Sequence, residues 1–154
     1  MKFQRILING IIIFIGIALY FLLIEALGLK DQIYLRLLNF IFVIYGVNRT
    51  IKANVADNIG GYLTNLGAAF ATAMVSVILG LIAFMIYVEI KGGDNYLETF
   101  AQAYLIPVSD PNAPPSMYQF AFMLLLEGTA ASAIISFAMM QFWKDKVEKI
   151  NTVD

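Results

Sequence analysis

The chain has 154 residues, 60% of them hydrophobic and 14% charged, with a formal net charge of −1 and a mean hydropathy of +0.78, whereas soluble domains carry roughly 25% charged residues. With no cysteine and no histidine, disulfides, thiolate nucleophiles, Cys/His zinc sites, imidazole acid–base catalysis and His-ligated haem are excluded. The charge balance argues against a nucleic-acid binder too, because the excess of basic residues that neutralises phosphates is missing.

A hydrocarbon core needs roughly 20 apolar residues in helical form. Four stretches approach or exceed that length, at 6–28, 32–48, 66–90 and 117–142. In the first, Lys2 and Arg5 precede an apolar run from Ile6 to Ile24. That run outlasts the roughly 7–15 residues of a secretory h-region, so it reads as a retained anchor helix rather than a cleaved signal. In the second, Gln32, Arg36 and Asn39 recur at i, i+4 and i+7, so one face of the helix is polar and is expected to point into protein.

The third stretch carries Ala68, Thr72, Ser76 and Gly80 at four-residue spacing, and the fourth carries Gly128, Ser132 and Ser136 in the same way. Lipid offers no hydrophobic gain for helix association, so membrane helices meet where small side chains let backbones approach. The two stripes predict an antiparallel pair of the third and fourth helices, with serine and threonine hydroxyls at its seam. Tyr34 and Tyr45 mark the ends of the second helix, Tyr87 and Tyr118 the outer ends of the third and fourth, and Trp143 the inner end of the fourth, as in an aromatic belt.

Between the third and fourth stretches, Asn95 followed by Glu98 is a capping-box pattern. Leu97, Phe100, Ala101, Tyr104 and Leu105 then recur at helical spacing until Pro107, which predicts a short amphipathic helix over about 95–106 on the membrane surface. The extended "VSDPNAPPS" follows, and Ser116 with Gln119 repeats the capping pattern at the start of the fourth helix.

Orientation follows from the basic residues. Lys2, Arg5, Arg49, Lys52, Lys144, Lys146 and Lys149 fall on one side, and Lys30, Lys91 and Arg36 on the other. The expectation is that both termini and the 49–65 connection lie in the cytoplasm.

Glu127 is the residue that membrane depth makes expensive. It lies ten residues beyond Met117, about 15 Å into its helix, where a charge is neutralised, paired or used. Arg36 is the basic side chain placed within a span and able to reach it, and Glu25, near the outer end of the first helix, competes for the same arginine. Glu25, Arg36, Asn39 and Glu127 therefore form a candidate intramembrane polar cluster. It admits three roles: an ion pair that sets helix register, a proton, ion or ligand contact, or docking against a polar residue of a partner.

Catalysis has little to stand on. Ser132 and Ser136 have no base at membrane depth, no acids stand at metal-ligand spacing, and "NIGGY" at 58–62 lacks the lysine and the preceding strand of a phosphate loop. No catalytic residue, cofactor or metal is expected.

The layout of two opening helices, the basic connection "VNRTIKAN", "LGAAFATAMVSVILGLIAFMIY" in the third helix, an amphipathic outer insert and a final helix ending in lysines resembles a family of small four-helix bacterial inner-membrane proteins of unknown function. The resemblance covers nearly the whole chain and implies fold and location, and no functional residue. The sequence thus predicts an all-α membrane protein with four transmembrane helices and one extracytoplasmic amphipathic helix. Its expected partners are the lipid bilayer and other membrane subunits or itself, and its expected role is that of a non-catalytic accessory or scaffold subunit. The alternative is a small proton-coupled transporter or channel using Glu127.

Overall fold

The computed structural model describes residues 2–29, 32–93, 95–98 and 116–150, and all regular structure among them is helical. Helix α1 spans Phe3–Ala26. It ends where Gly28 takes φ +70°, a left-handed conformation that costs glycine nothing and lets the Leu29 amide close on the Ile24 carbonyl at 3.0 Å. A 3-10 helix over Ile33–Leu38 leads directly into α2, Asn39–Ala56. Helix α3 spans Tyr62–Lys91 and α4 spans Met117–Ile150.

Three of these, α1, α3 and α4, are long and apolar enough to cross a membrane. The second expected span differs in character. Residues Ile33–Leu38 near its start are 3-10 rather than α-helical, so the i, i+4, i+7 phase of Gln32, Arg36 and Asn39 does not make one α-helical face. The segment then stays helical through Arg49 and Lys52 to Ala56, where the sequence predicts a connection, and Tyr45 sits inside α2 rather than at its end. Because a 3-10 turn rises about 2 Å per residue, the 3-10 helix and α2 together extend about 39 Å. Residues 95–98 form a helical turn with Leu97 fully buried; most of the expected amphipathic helix, 99–106, lies outside the described residues.

Helices α2 and α3 each pack against both α1 and α4. The chain runs up, down, up, down, as the cross-helix bonds show: Thr50 meets Thr72, Asn48 meets Trp143 and Tyr62 meets Gln141. The end at which α1 starts and α4 finishes, here the proximal end, carries Lys2, Arg5, Lys52, Lys144, Lys146 and Lys149. Glu25 and Lys91 lie at the distal end. Arg5 and Glu25 are 20 residues apart on α1, about 30 Å at 1.5 Å per residue, which is the thickness of a hydrocarbon core.

Two apolar clusters hold the bundle. The proximal one is built on Val47, Ile51, Ala69, Ala73, Met140 and Val147, all fully buried. The distal one joins Val88, Leu97 and Phe120, with Phe84 stacked on Phe120 at 5.5 Å between ring centroids. Glycines set the close approaches. A Cβ on Gly10 of α1 would lie 2.9 Å from the Thr72 carbonyl oxygen of α3, and one on Gly128 of α4 would lie 2.8 Å from Val77.

Candidate functional site: a mid-bundle cavity with an ion pair at its mouth

Between the two clusters the helices part around a cavity of about 400 Å³. Phe14 and Phe21 from α1, Leu81 and Phe84 from α3 and Leu124 from α4 give it an apolar wall, and Arg36, Asn39 and Glu127 supply its polar edge. Arg36, carried on the 3-10 helix, donates from Nη2 to Oε2 of Glu127 at 3.1 Å. The Arg36 side chain is 29% exposed and that of Glu127 60%. Glu127 therefore lines the cavity and also faces outward, so the cavity reaches the flank of the bundle at the ion pair.

Glu25 stands elsewhere. Its carboxylate accepts hydrogen bonds from Tyr87 and, at 3.1 Å, from Tyr96, and Lys91 lies 3.6 Å away. This cluster ties the helical turn at 95–98 to the distal ends of α1 and α3. Burial, with the neighbouring Glu25 carboxylate, pushes the Tyr96 phenol well above its ordinary value, so it remains a donor. Of the four residues in the expected polar cluster, the structure brings Arg36, Asn39 and Glu127 around one cavity and holds Glu25 apart. The side-chain oxygen of Asn39 is buried without a hydrogen-bond partner.

The small-residue stripes divide. Ala68, Thr72, Ser76, Ser132 and Ser136 are buried and Gly128 packs on Val77, but a Cβ on Gly80 would meet nothing within 4 Å. Gly80 faces the cavity instead of a helix, which removes it from the expected packing seam. Ser136 borders an α3–α4 groove with Leu66 and Phe70, and the other hydroxyls differ in their partners. Thr72 turns to Thr50 of α2, while Ser76 and Ser132 donate to carbonyls of their own helices. A helical serine or threonine satisfies itself in this way when no better acceptor faces it.

Sequence reasoning passed over the polar chain that closes the proximal half. Asn9 of α1 donates to Thr50 at 2.9 Å, Thr50 lies 3.0 Å from the Thr72 hydroxyl, and Thr72 donates to the Ala68 carbonyl at 2.8 Å. One turn nearer the end, Asn54 donates to Asn65 at 3.0 Å, and Asn65 secures the α2–α3 connection through the Ile59 and Gly61 carbonyls, each at 3.0 Å. Arg5 reaches Asn54 at 2.7 Å and also pairs with Asp57. The available signal was Asn9, an amide within the apolar run from Ile6 to Ile24, whose burial in lipid requires a partner.

No protein-family model, no curated protein and no solved structure matches this chain. Among the described residues no three acidic side chains converge to hold a metal ion.

Proposed function

We propose that the chain is a non-catalytic, four-span subunit of a larger assembly in a bacterial inner membrane. In this reading both termini are cytoplasmic, and the subunit docks on another membrane protein or a second copy through the flank that bears Arg36 and Glu127. One observation carries it: Glu127 is 60% exposed on the side of an apolar bundle, at a depth where the neighbours would be lipid chains and a carboxylate is costly. A partner's polar surface would remove that cost.

The 3-10 helix and α2 support four spans, since together they are long enough to cross and their Thr50 and Asn54 bury against other helices. The basic residues gathered at the proximal end support cytoplasmic termini, and the turn at 95–98 pinned to Glu25 supports an interfacial helix opening at Asn95. A transport path is less favoured, because the cavity lies between packed clusters and opens sideways rather than along the axis.

The test is purification from native membranes in mild detergent with stoichiometry by mass spectrometry. The expected result is a stoichiometric partner, or a defined homo-oligomer, that is lost in Glu127→Gln. A monomer recovered alone, with the variant indistinguishable from it, would overturn the reading.

A further inference from the structure

We propose that the mid-bundle cavity binds a neutral, single-chain amphiphile of the monoacylglycerol or fatty-alcohol type, entering sideways from the bilayer. This goes beyond the subunit reading and does not depend on it; in an assembly the amphiphile loads before a partner covers the flank at Glu127.

Size and lining come first. A cavity of about 400 Å³ falls in the range of small-molecule sites, which are apolar with a few polar groups that fix orientation. Here the wall is Phe14, Phe21, Leu81 and Phe84, and the polar groups gather at one edge. The hydroxyls of Ser76 and Ser132, which also line it, spend their protons on their own helices' carbonyls, leaving most of the wall suited to a hydrocarbon chain.

Gly80 is the second observation. Glycine is the poorest helix former after proline, and at Gly10 and Gly128 its use is explained by a neighbouring helix within van der Waals reach of a Cβ. At Gly80 nothing lies within 4 Å. What the missing side chain provides there is room in the cavity floor, in the middle of a helix with no approach to permit.

Charge decides the head group. Arg36 and Glu127 compensate one another at 3.1 Å, so the mouth presents no net charge to attract a phosphate or a carboxylate. Asn39, at the same edge, has a side-chain oxygen buried without a partner, and a primary amide both donates and accepts. A hydroxyl head, which can donate to that oxygen, matches it. Because the cavity reaches the flank at Glu127 between packed clusters above and below, the route in is from the lipid.

The experiment uses the full chain in detergent and measures equilibrium binding of radiolabelled 1-monooleoylglycerol, with oleyl phosphate as the anionic competitor. The expected result is saturable binding near one molecule per chain, weakened at least tenfold by Gly80→Leu. Gly67→Leu, which also meets open space but lines a groove with Ile134 and Phe137, leaves binding unchanged, and oleyl phosphate competes at least tenfold less well than unlabelled monooleoylglycerol. Absence of saturable binding, equal competition by oleyl phosphate, or full binding by a Gly80→Leu protein of wild-type helicity would overturn the proposal. Should Gly80→Leu fail to fold, Ala131→Leu fills the same cavity from α4 and is read in the same way.

Discussion

Arg36 and Glu127, 91 residues apart in the chain, meet at 3.1 Å across the gap between a 3-10 helix and the end of the third turn of α4. The pair joins the two elements that border the lateral opening of the cavity, so it fixes how α4 sits on α2 at a level where the helices otherwise stand apart.

The two halves of this pair should not be equivalent. The Arg36 side chain is 29% exposed and that of Glu127 60%, and the more buried charge loses more when its partner is removed. Glu127→Gln, which removes this carboxylate from Arg36, is therefore expected to lower the melting temperature in lipid nanodiscs more than Arg36→Gln does. The exchange Arg36→Glu with Glu127→Arg should recover part of the loss. Equal losses for the two single variants would contradict this account.

Thr50 sits at the centre of the proximal polar chain, and Thr50→Val keeps its shape while removing its hydroxyl. Asn9 then has a buried amide without the oxygen it bonds at 2.9 Å, a cost of about 1–2 kcal/mol, with the lower end favoured because hydrogen bonds between membrane helices are often worth less than in water. Adding Asn9→Leu should return some of that stability, since removing both partners avoids the orphaned group. Chemical denaturation of the two variants in detergent measures both effects.

Gly10 and Gly80 offer a matched test of helix contact. Gly10→Ala places a Cβ 2.6 Å from Val75 and 2.9 Å from the Thr72 carbonyl oxygen, which requires α1 and α3 to separate, and a loss of several degrees in melting temperature is expected. Gly80→Ala meets nothing and gains about 1 kcal/mol of helix propensity, so its melting temperature should rise. Thermal unfolding followed by far-ultraviolet circular dichroism distinguishes them.

Acid should loosen the proximal end. Hydrogen bonds from Lys2 and then Arg5 hold Asp57 below its ordinary value of 3.8. A carboxylate with a depressed native value contributes stability in full above the unfolded value, and this is lost as pH falls through the native one. The contribution of Asp57 is thus intact at neutral pH and disappears below about pH 4. Fluorescence of Trp143, the single tryptophan, reports on the same end through its bond to Asn48 at 2.8 Å. Its acid transition should shrink in Asp57→Asn, and an unchanged transition would assign it to other carboxylates.

The cluster at Glu25 should govern the turn at 95–98. Glu25→Ala removes the acceptor of both Tyr87 and Tyr96, so amide exchange at 95–98 is expected to rise at least tenfold while α2 is unaffected. Tyr96→Phe, which leaves the Tyr87 bond, should produce a smaller rise.

The apolar runs by themselves determined an all-helical chain with helices long enough to cross a membrane, because length and hydropathy are local properties of a segment. They also marked the expensive charges, since an acid or base inside such a run is conspicuous whatever surrounds it. The pairing of those charges was not local. From sequence, Arg36 stood between Glu25 and Glu127; the tertiary structure places Tyr87, Tyr96 and Lys91 around Glu25 and swings Arg36 to Glu127, a choice made by helix register and by the 3-10 phase of residues 33–38. The role of small residues was undecided in the same way. Spacing alone treats Gly80 like Gly128, and only the position of a neighbouring helix separates a close contact from a cavity floor. The Asn9, Thr50 and Thr72 chain follows the same logic: each polar residue was visible in sequence, but its cost and its partner depend on three helices meeting at one level.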